Sequence, residues 1–191
     1  LYGVVEGLHL GAEVHLLDSL RPDRQRQALV ARQITHLYAT PAQLRLLTEG
    51  QGLCPDLRLV LVGGSKLDAG LRRALAEMAP AVAIREFYGA AEASFISIAD
   101  EAAPAGSVGR MYEGVKVSLD PTGDIWVKSP SLFIGYAEGD GSASWRDGWL
   151  SVGEIGRMEN GFVYLSGRAG RMVTVADQNV FPEEIETLML S

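Results

Sequence analysis

The chain has 191 residues, 47% of them hydrophobic, which is enough apolar material for one large domain or for a medium and a small one. Its 17 basic and 24 acidic residues give a formal net charge of −7 with no block of like charges, which argues against non-specific nucleic-acid binding, because phosphate neutralisation needs clustered Lys and Arg. A single cysteine excludes an internal disulfide, and no apolar run reaches the roughly 20 residues of a membrane helix.

In chain order, Gly11-Ala12 ends a first helix, and residues 13–17 read as a short buried strand. Pro22 suits the first turn of a helix whose Arg24, Arg26 and Arg32 form a solvated face. A strand over 34–38 follows, and Pro41 opens another helix to about Leu47. Residues 57–62 form a strand cut by Gly63-Gly64, 67–78 a helix and 82–87 a strand. This rhythm predicts an α/β fold of parallel βαβ units, with helices on both faces and ligands at the carboxyl ends of the strands. Gly63-Gly64-Ser65 and Tyr88-Gly89 stand at such ends.

The pattern changes near Ala102-Ala103-Pro104. Short β-patterns follow, with 115–119 and Asp124–Lys128 flanking the turn Asp120-Pro121-Thr122-Gly123, and with a further strand at 161–165. The predicted organisation is an α/β part over 1–103, a small antiparallel β-barrel-like part over 104–166, and the start of a third unit over 167–191, too short for a core of its own. In the last part Pro182 begins a helix. The start, Leu1-Tyr2-Gly3, lacks a basic leader and a Met, and the end stops on the apolar face of an unfinished helix, so the expectation is a piece of a longer protein. Cys54 reads as a small apolar filler with no His or Asn nearby in sequence to activate it, and His9, His15 and His36 have no metal-ligand spacing with it. The expected compartment is the cytoplasm.

Three segments carry candidate chemistry. In Phe87-Tyr88-Gly89-Ala90-Ala91-Glu92 a strand delivers an aromatic to stack on a base, a Gly that admits a ligand to the backbone, and a carboxylate suited to Mg²⁺ on phosphate oxygens. The plainer reading is a strand end with a satisfied turn. In Asp147-Gly148-Trp149-Leu150-Ser151-Val152-Gly153-Glu154, followed by Gly167-Arg168, the carboxylate of Glu154 can accept both hydroxyls of a ribose and Arg168 can donate to ribose or phosphate. The plainer reading is a hairpin with one surface carboxylate and one surface Arg. Gly63-Gly64-Ser65 offers backbone groups to a nucleobase or an acyl chain, or is only a turn.

These segments, with Gly135-Tyr136 and Asn179-Val180-Phe181-Pro182-Glu183-Glu184-Ile185-Glu186, occur in one order and together resemble the acyl-CoA synthetase, adenylation-domain and luciferase superfamily. The resemblance runs over essentially the whole chain. It implies an AMP-forming ligase that activates a carboxylic acid with ATP and Mg²⁺ and passes the acyl group to CoA or to the phosphopantetheine of an acyl-carrier protein. It implies Tyr88 beside adenine and Glu92 as the catalytic, Mg²⁺-associated carboxylate. Glu154 and Arg168 fall on the ribose, and Gly63, Gly64 and Ser65 near adenine and the acyl pocket. Gly89 and Ala91 belong to the same nucleotide-facing turn, and Gly170 falls at the hinge. Ala39, Ala42, Ala90 and Ala93 are small, which leaves room for a bulky or long acid.

Several positions depart from the family pattern. Ala91 stands for the usual Thr, Ser151-Val152-Gly153-Glu154 for Arg-Thr-Gly-Asp, and Ala176-Asp177 for paired glycines beside the thiol tunnel. The phosphate-gripping Ser/Thr/Gly loop belongs before Leu1 and the charge-stabilising Lys after Ser191, so this chain alone is expected to have little adenylation activity. Three readings follow: part of an acyl- or aryl-CoA ligase, part of a carrier-loading adenylation domain, or a degenerate nucleotide binder that does not turn over.

Overall fold

The computed structural model describes residues 2–17, 19, 21–49, 54–138, 144–175 and 178–189. Helix α1 (Tyr2–His9) is followed by a turn that ends at Gly11, where φ is +71°. Helices α2 (Pro22–Ala31) and α3 (Pro41–Thr48) both begin on a proline, whose fixed φ is already helical. Thr40 and Gln43 cap α3 reciprocally, each side chain accepting the other's backbone N–H. Helix α4 (Ala69–Met78) is capped by Asp68, whose carboxylate accepts from Leu71 N–H at 2.9 Å and pairs with Arg45 of α3.

Strands β1 (His36–Ala39), β2 (Leu59–Val62) and β3 (Ala83–Ala90) pair in parallel. β4 (Ser94–Ala99) and β5 (Arg110–Met111) extend the same sheet antiparallel, giving the order β1-β2-β3-β4-β5. The sheet is therefore mixed, beyond its parallel half. Only residues 91–93 join β3 to β4, and a parallel return needs a crossover of about a dozen residues. Leu37, Val60, Val62 and Ile84 of the sheet form one buried cluster with Leu29, Leu44, Leu47, Leu71 and Leu75 of α2–α4, and Cys54 is an apolar filler within it. On the other face Gly3 lies against the Tyr38 ring and the Tyr38 hydroxyl donates to Glu6 of α1, so helices cover both faces.

Residues 13–17 do not form the strand expected from sequence. Among the described residues no strand pairs with them, since β1 ends the sheet order, and Leu16 is 76% exposed. An apolar run becomes a strand only where its backbone groups find partners.

The second sheet is antiparallel. It comprises β6 (Lys116–Leu119), β7 (Asp124–Lys128), β9 (Trp149–Glu159) and β10 (Phe162–Arg168) in the order β10-β9-β7-β6, with β8 (Trp145–Arg146) paired to β9. Asn160-Gly161 joins β9 to β10 with φ of +51° and +79°, the positive-φ pair that suits a tight hairpin. The change of architecture falls between Met111 and Lys116, because β5 still belongs to the first sheet.

The two sheets join where Val108 N–H donates to Val163 O at 2.8 Å and Val163 N–H to Gly109 O at 3.0 Å. Tyr88, Ala93, Ile96, Val108, Ile125, Val127 and Val163 fill the space between them. A 3-10 turn at Ala169–Arg171, a ribbon of β11 (Val173–Val175) and β12 (Gln178–Val180), and helix α5 (Pro182–Met189) follow. No helix among the described residues is long and apolar enough to cross a membrane.

Candidate functional site

Strand β3 carries Tyr88 into the gap between the sheets. The residue is only 9% exposed and packs in the second cluster, yet its buried hydroxyl has no hydrogen-bond partner among the described residues. Burial raises the phenol pKa, the charges of Glu154 and Asp124 push it the same way, and Arg168 opposes them. The charges of Glu154, Asp124 and Arg168 thus act on one buried hydroxyl, a grouping that sequence alone could not supply. An unpartnered buried O–H costs about 1–3 kcal/mol, a cost that a ligand accepting from it relieves.

Glu154 on β9 and Arg168 on β10 are direct cross-strand neighbours. Arg168 Nε donates to Glu154 Oε1 at 3.1 Å. The Glu154 side chain is 15% exposed and that of Arg168 is 71% exposed, so the carboxylate is inside and most of the guanidinium is in solvent. Burial pushes the Glu154 carboxyl pKa above its ordinary value, Arg168 pulls it back, and Glu183 of α5 adds to the rise. Ser151, where the resemblance has Arg, donates its hydroxyl to Asp124 at 3.1 Å and so fastens β9 to β7.

The loop after β2 sits over the neighbouring residue Phe87. A side chain at Gly63 would lie 2.2 Å from the Phe87 ring, and Gly64 has φ +92°, so both positions need glycine. Ser65 is exposed. Glu86 holds the far side of this loop. Its carboxylate, 5% exposed, accepts from Leu67 N–H at 2.9 Å and pairs with Arg72 at 3.3 Å.

Burial raises the Glu86 pKa, against the pull of the Leu67 N–H and Arg72. For a carboxyl raised on folding, the stabilising contribution is complete below the ordinary Glu pKa and is lost as pH rises through the elevated one. Glu86→Gln keeps an acceptor for Leu67 and removes the titration. Urea unfolding of wild type and variant at pH 4 and pH 8 is expected to show the variant gaining stability on wild type as pH rises. Parallel pH profiles refute this.

Gly89 lies inside β3, at a register shift against β4, and is not itself the turn. The close approach it permits is to Ser94 O, 2.3 Å from where a side chain would begin. The turn is made by 91–93, with Ala91 exposed and Ala93 fully buried. Glu92 therefore stands at the tip of the β3–β4 connection. Its carbonyl accepts from Phe133 N–H at 2.8 Å, and its Oε1 accepts from the Tyr136 hydroxyl at 3.0 Å. Tyr136 was visible in the sequence only as part of a Gly-Tyr motif, with no role attached. No group of three or more His, Cys, Asp or Glu among the described residues is arranged to hold a metal by itself.

Gly170 sits in the 3-10 turn, is exposed, and has open space where a side chain would begin. Next to it, Arg171 pairs with Glu183 at 2.8 Å and with Glu186 at 3.3 Å. Ala176 and Asp177 lie outside the described residues.

The family profile described as "AMP-binding enzyme" matches residues 1–137. An uncharacterized acyl-CoA ligase, YhfT of Bacillus subtilis, is 32% identical over 205 residues, spanning 100% of this chain and 42% of the relative. The medium/long-chain-fatty-acid–[acyl-carrier-protein] ligase FadD10 of Mycobacterium tuberculosis is 31% identical, over 70% of this chain and 29% of that protein. The chain thus spans less than half the length of the curated relatives it matches. Among solved structures, O-succinylbenzoate CoA synthetase (MenE) from Bacillus subtilis, in complex with ATP and magnesium ion, superposes with a TM-score of 0.88 at 22% identity, over 99% of this chain and 43% of that one, which shows a shared fold.

Proposed function

The chain belongs to the AMP-binding enzyme family, and from that premise we propose that it forms the nucleotide-facing part of an AMP-forming acid–thiol ligase. In this reading a substrate carboxylate oxygen bonds to the α-phosphorus of ATP and the bond to pyrophosphate breaks. A thiol sulfur then bonds to the acyl carbon of the acyl-adenylate, and AMP leaves. The protein's part is to align the reactants and to meet developing negative charge. The observation that carries the proposal is the Glu154–Arg168 pair across β9 and β10, with the buried Tyr88 hydroxyl, unpartnered among the described residues, near enough for both charges to act on it.

Adenosine lies against Tyr88, with the ribose hydroxyls donating to Glu154 and Arg168 reaching ribose or phosphate. Gly63, Gly64 and Ser65 border adenine and the acyl group, Ala91 stands in the turn that faces the phosphates, and Gly89 in the strand that leads to it. Glu92 fits Mg²⁺ as a single carboxylate, since that ion keeps several waters and is usually held by one or two carboxylates beside substrate phosphates. When bound, the ion neutralises phosphate charge. The first sheet, through β5, and the second sheet build the two walls of the crevice, and 167–191 begins a part that swings about Gly170.

The acceptor is CoA. A carrier-protein phosphopantetheine is the second reading, favoured by the likeness to FadD10. Such an enzyme works in the cytoplasm, where ATP and reduced thiols are available.

Calorimetric titration of the chain with AMP tests the site. Saturable binding is expected, and Arg168→Ala is expected to weaken it by about tenfold, the worth of one charge-assisted hydrogen bond. No binding, or equal affinity in the variant, rejects the reading.

A further inference from the structure

Glu92 sits on a turn, where a carboxylate has several rotamers and no strand to fix it. One exposed segment reaches over and holds it at two points. Phe133 N–H bonds its carbonyl at 2.8 Å and the Tyr136 hydroxyl bonds Oε1 at 3.0 Å. The segment is itself anchored. Phe133 meets the Tyr136 ring edge-on at 4.8 Å and stacks on Trp145 at 5.8 Å with 16° between the planes. Trp145 lies on β8, which pairs with β9, the strand that carries Glu154. A chain of aromatic contacts therefore runs from the strand of the proposed ribose carboxylate to the side chain of the proposed metal carboxylate.

We propose that Tyr136 is a positioning residue for Glu92: its hydroxyl occupies Oε1, fixes the carboxylate rotamer and turns Oε2 toward the divalent cation of the nucleotide. The inference rests on the ligase reading above. A phenol suits this task because it donates one hydrogen bond without adding charge, so the carboxylate keeps its full negative charge for the cation.

Tyr136→Phe removes the hydroxyl and keeps the ring on Phe133. In the polypeptide that carries this chain, the Mg²⁺ concentration for half-maximal ATP–pyrophosphate exchange is expected to rise roughly five- to tenfold, with the rate at saturating Mg²⁺ within about twofold of wild type. Mn²⁺ binding to the ATP complex, read by electron paramagnetic resonance, is expected to weaken by the same factor, with no change in Tm. In a Glu92→Gln background the Tyr136→Phe effect is expected to vanish. An unchanged Mg²⁺ and Mn²⁺ dependence, in an enzyme that does respond to Glu92→Gln, overturns the role of Tyr136 and leaves the ligase reading standing. A rate loss equal at every Mg²⁺ concentration, with a lowered Tm, makes Tyr136 a packing residue and overturns it too. A wild type with neither exchange nor nucleotide binding overturns the ligase reading itself.

Discussion

Glu92→Gln in the polypeptide that carries this chain is expected to lower ATP–pyrophosphate exchange by about 10²-fold or more, with AMP affinity within about twofold of wild type. The substitution keeps the size of the side chain and an acceptor for the Tyr136 hydroxyl, so the turn at 91–93 and its bond to Phe133 stay in place. What is lost is one negative charge at the tip of the β3–β4 connection. In the proposed reaction that charge holds the cation on the phosphates, and its value is realised as pyrophosphate leaves. AMP has no pyrophosphate to lose and in the proposed site lies against Tyr88, Glu154 and Arg168, so its affinity reports on the rest of that site. Exchange kinetics beside a calorimetric AMP titration check both halves. Exchange near the wild-type rate removes Glu92 from the chemistry.

Gly109→Ala is expected to destabilise the chain by more than about 3 kcal/mol and to abolish AMP binding. Gly109 has φ +91°, and an added Cβ would stand 1.8 Å from Ile98 O and 2.0 Å from its carbonyl carbon. Those atoms are backbone of β4, which cannot swing aside as a flexible side chain can. The neighbouring bonds from Val108 to Val163 and from Val163 to Gly109 are the seam between the two sheets. Opening that seam separates Tyr88 on the first sheet from Glu154 and Arg168 on the second. Gly11→Ala is the fitting control, since Gly11 also has positive φ but nothing within 4 Å of its added carbon. It is expected to cost about 1–2 kcal/mol, from backbone conformation alone. Urea unfolding distinguishes the two. Equal losses show that the sheets do not meet at Gly109 as described.

Legibility followed the range of the physics involved. Pro22 and Pro41 marked helix starts because proline's φ is a local property, and both helices begin there. Asn160-Gly161 is a local hairpin signal of the same kind, an Asn-Gly pair that accepts the positive φ found at both residues. Residues 13–17 misled because burial and pairing are not local, and no strand was there to receive them. Strand β4 went unrecognised, since its antiparallel return depends on a bulge at Gly89 and a turn of three residues. Among the candidate site residues, Glu154 and Arg168 were named from sequence, but their pairing as cross-strand neighbours depended on the register of β9 and β10. Tyr136 and Asp124 were missed as neighbours of the site, because a hydroxyl 44 residues from its carboxylate leaves no periodic signal.

The sequence by itself determined the alternation of helices and strands, the shift to short antiparallel strands, and the family to which the chain belongs, because propensity, turn chemistry and motif order are written residue by residue. Tertiary structure decided how the sheets meet, why the buried Tyr88 hydroxyl has no hydrogen-bond partner among the described residues although the charges of Glu154, Arg168 and Asp124 act on it, and which side chain holds Glu92. Those outcomes depend on contacts between residues far apart in the chain, whose energies exist only once loop-closure entropy has been overcome and the two sheets are packed together.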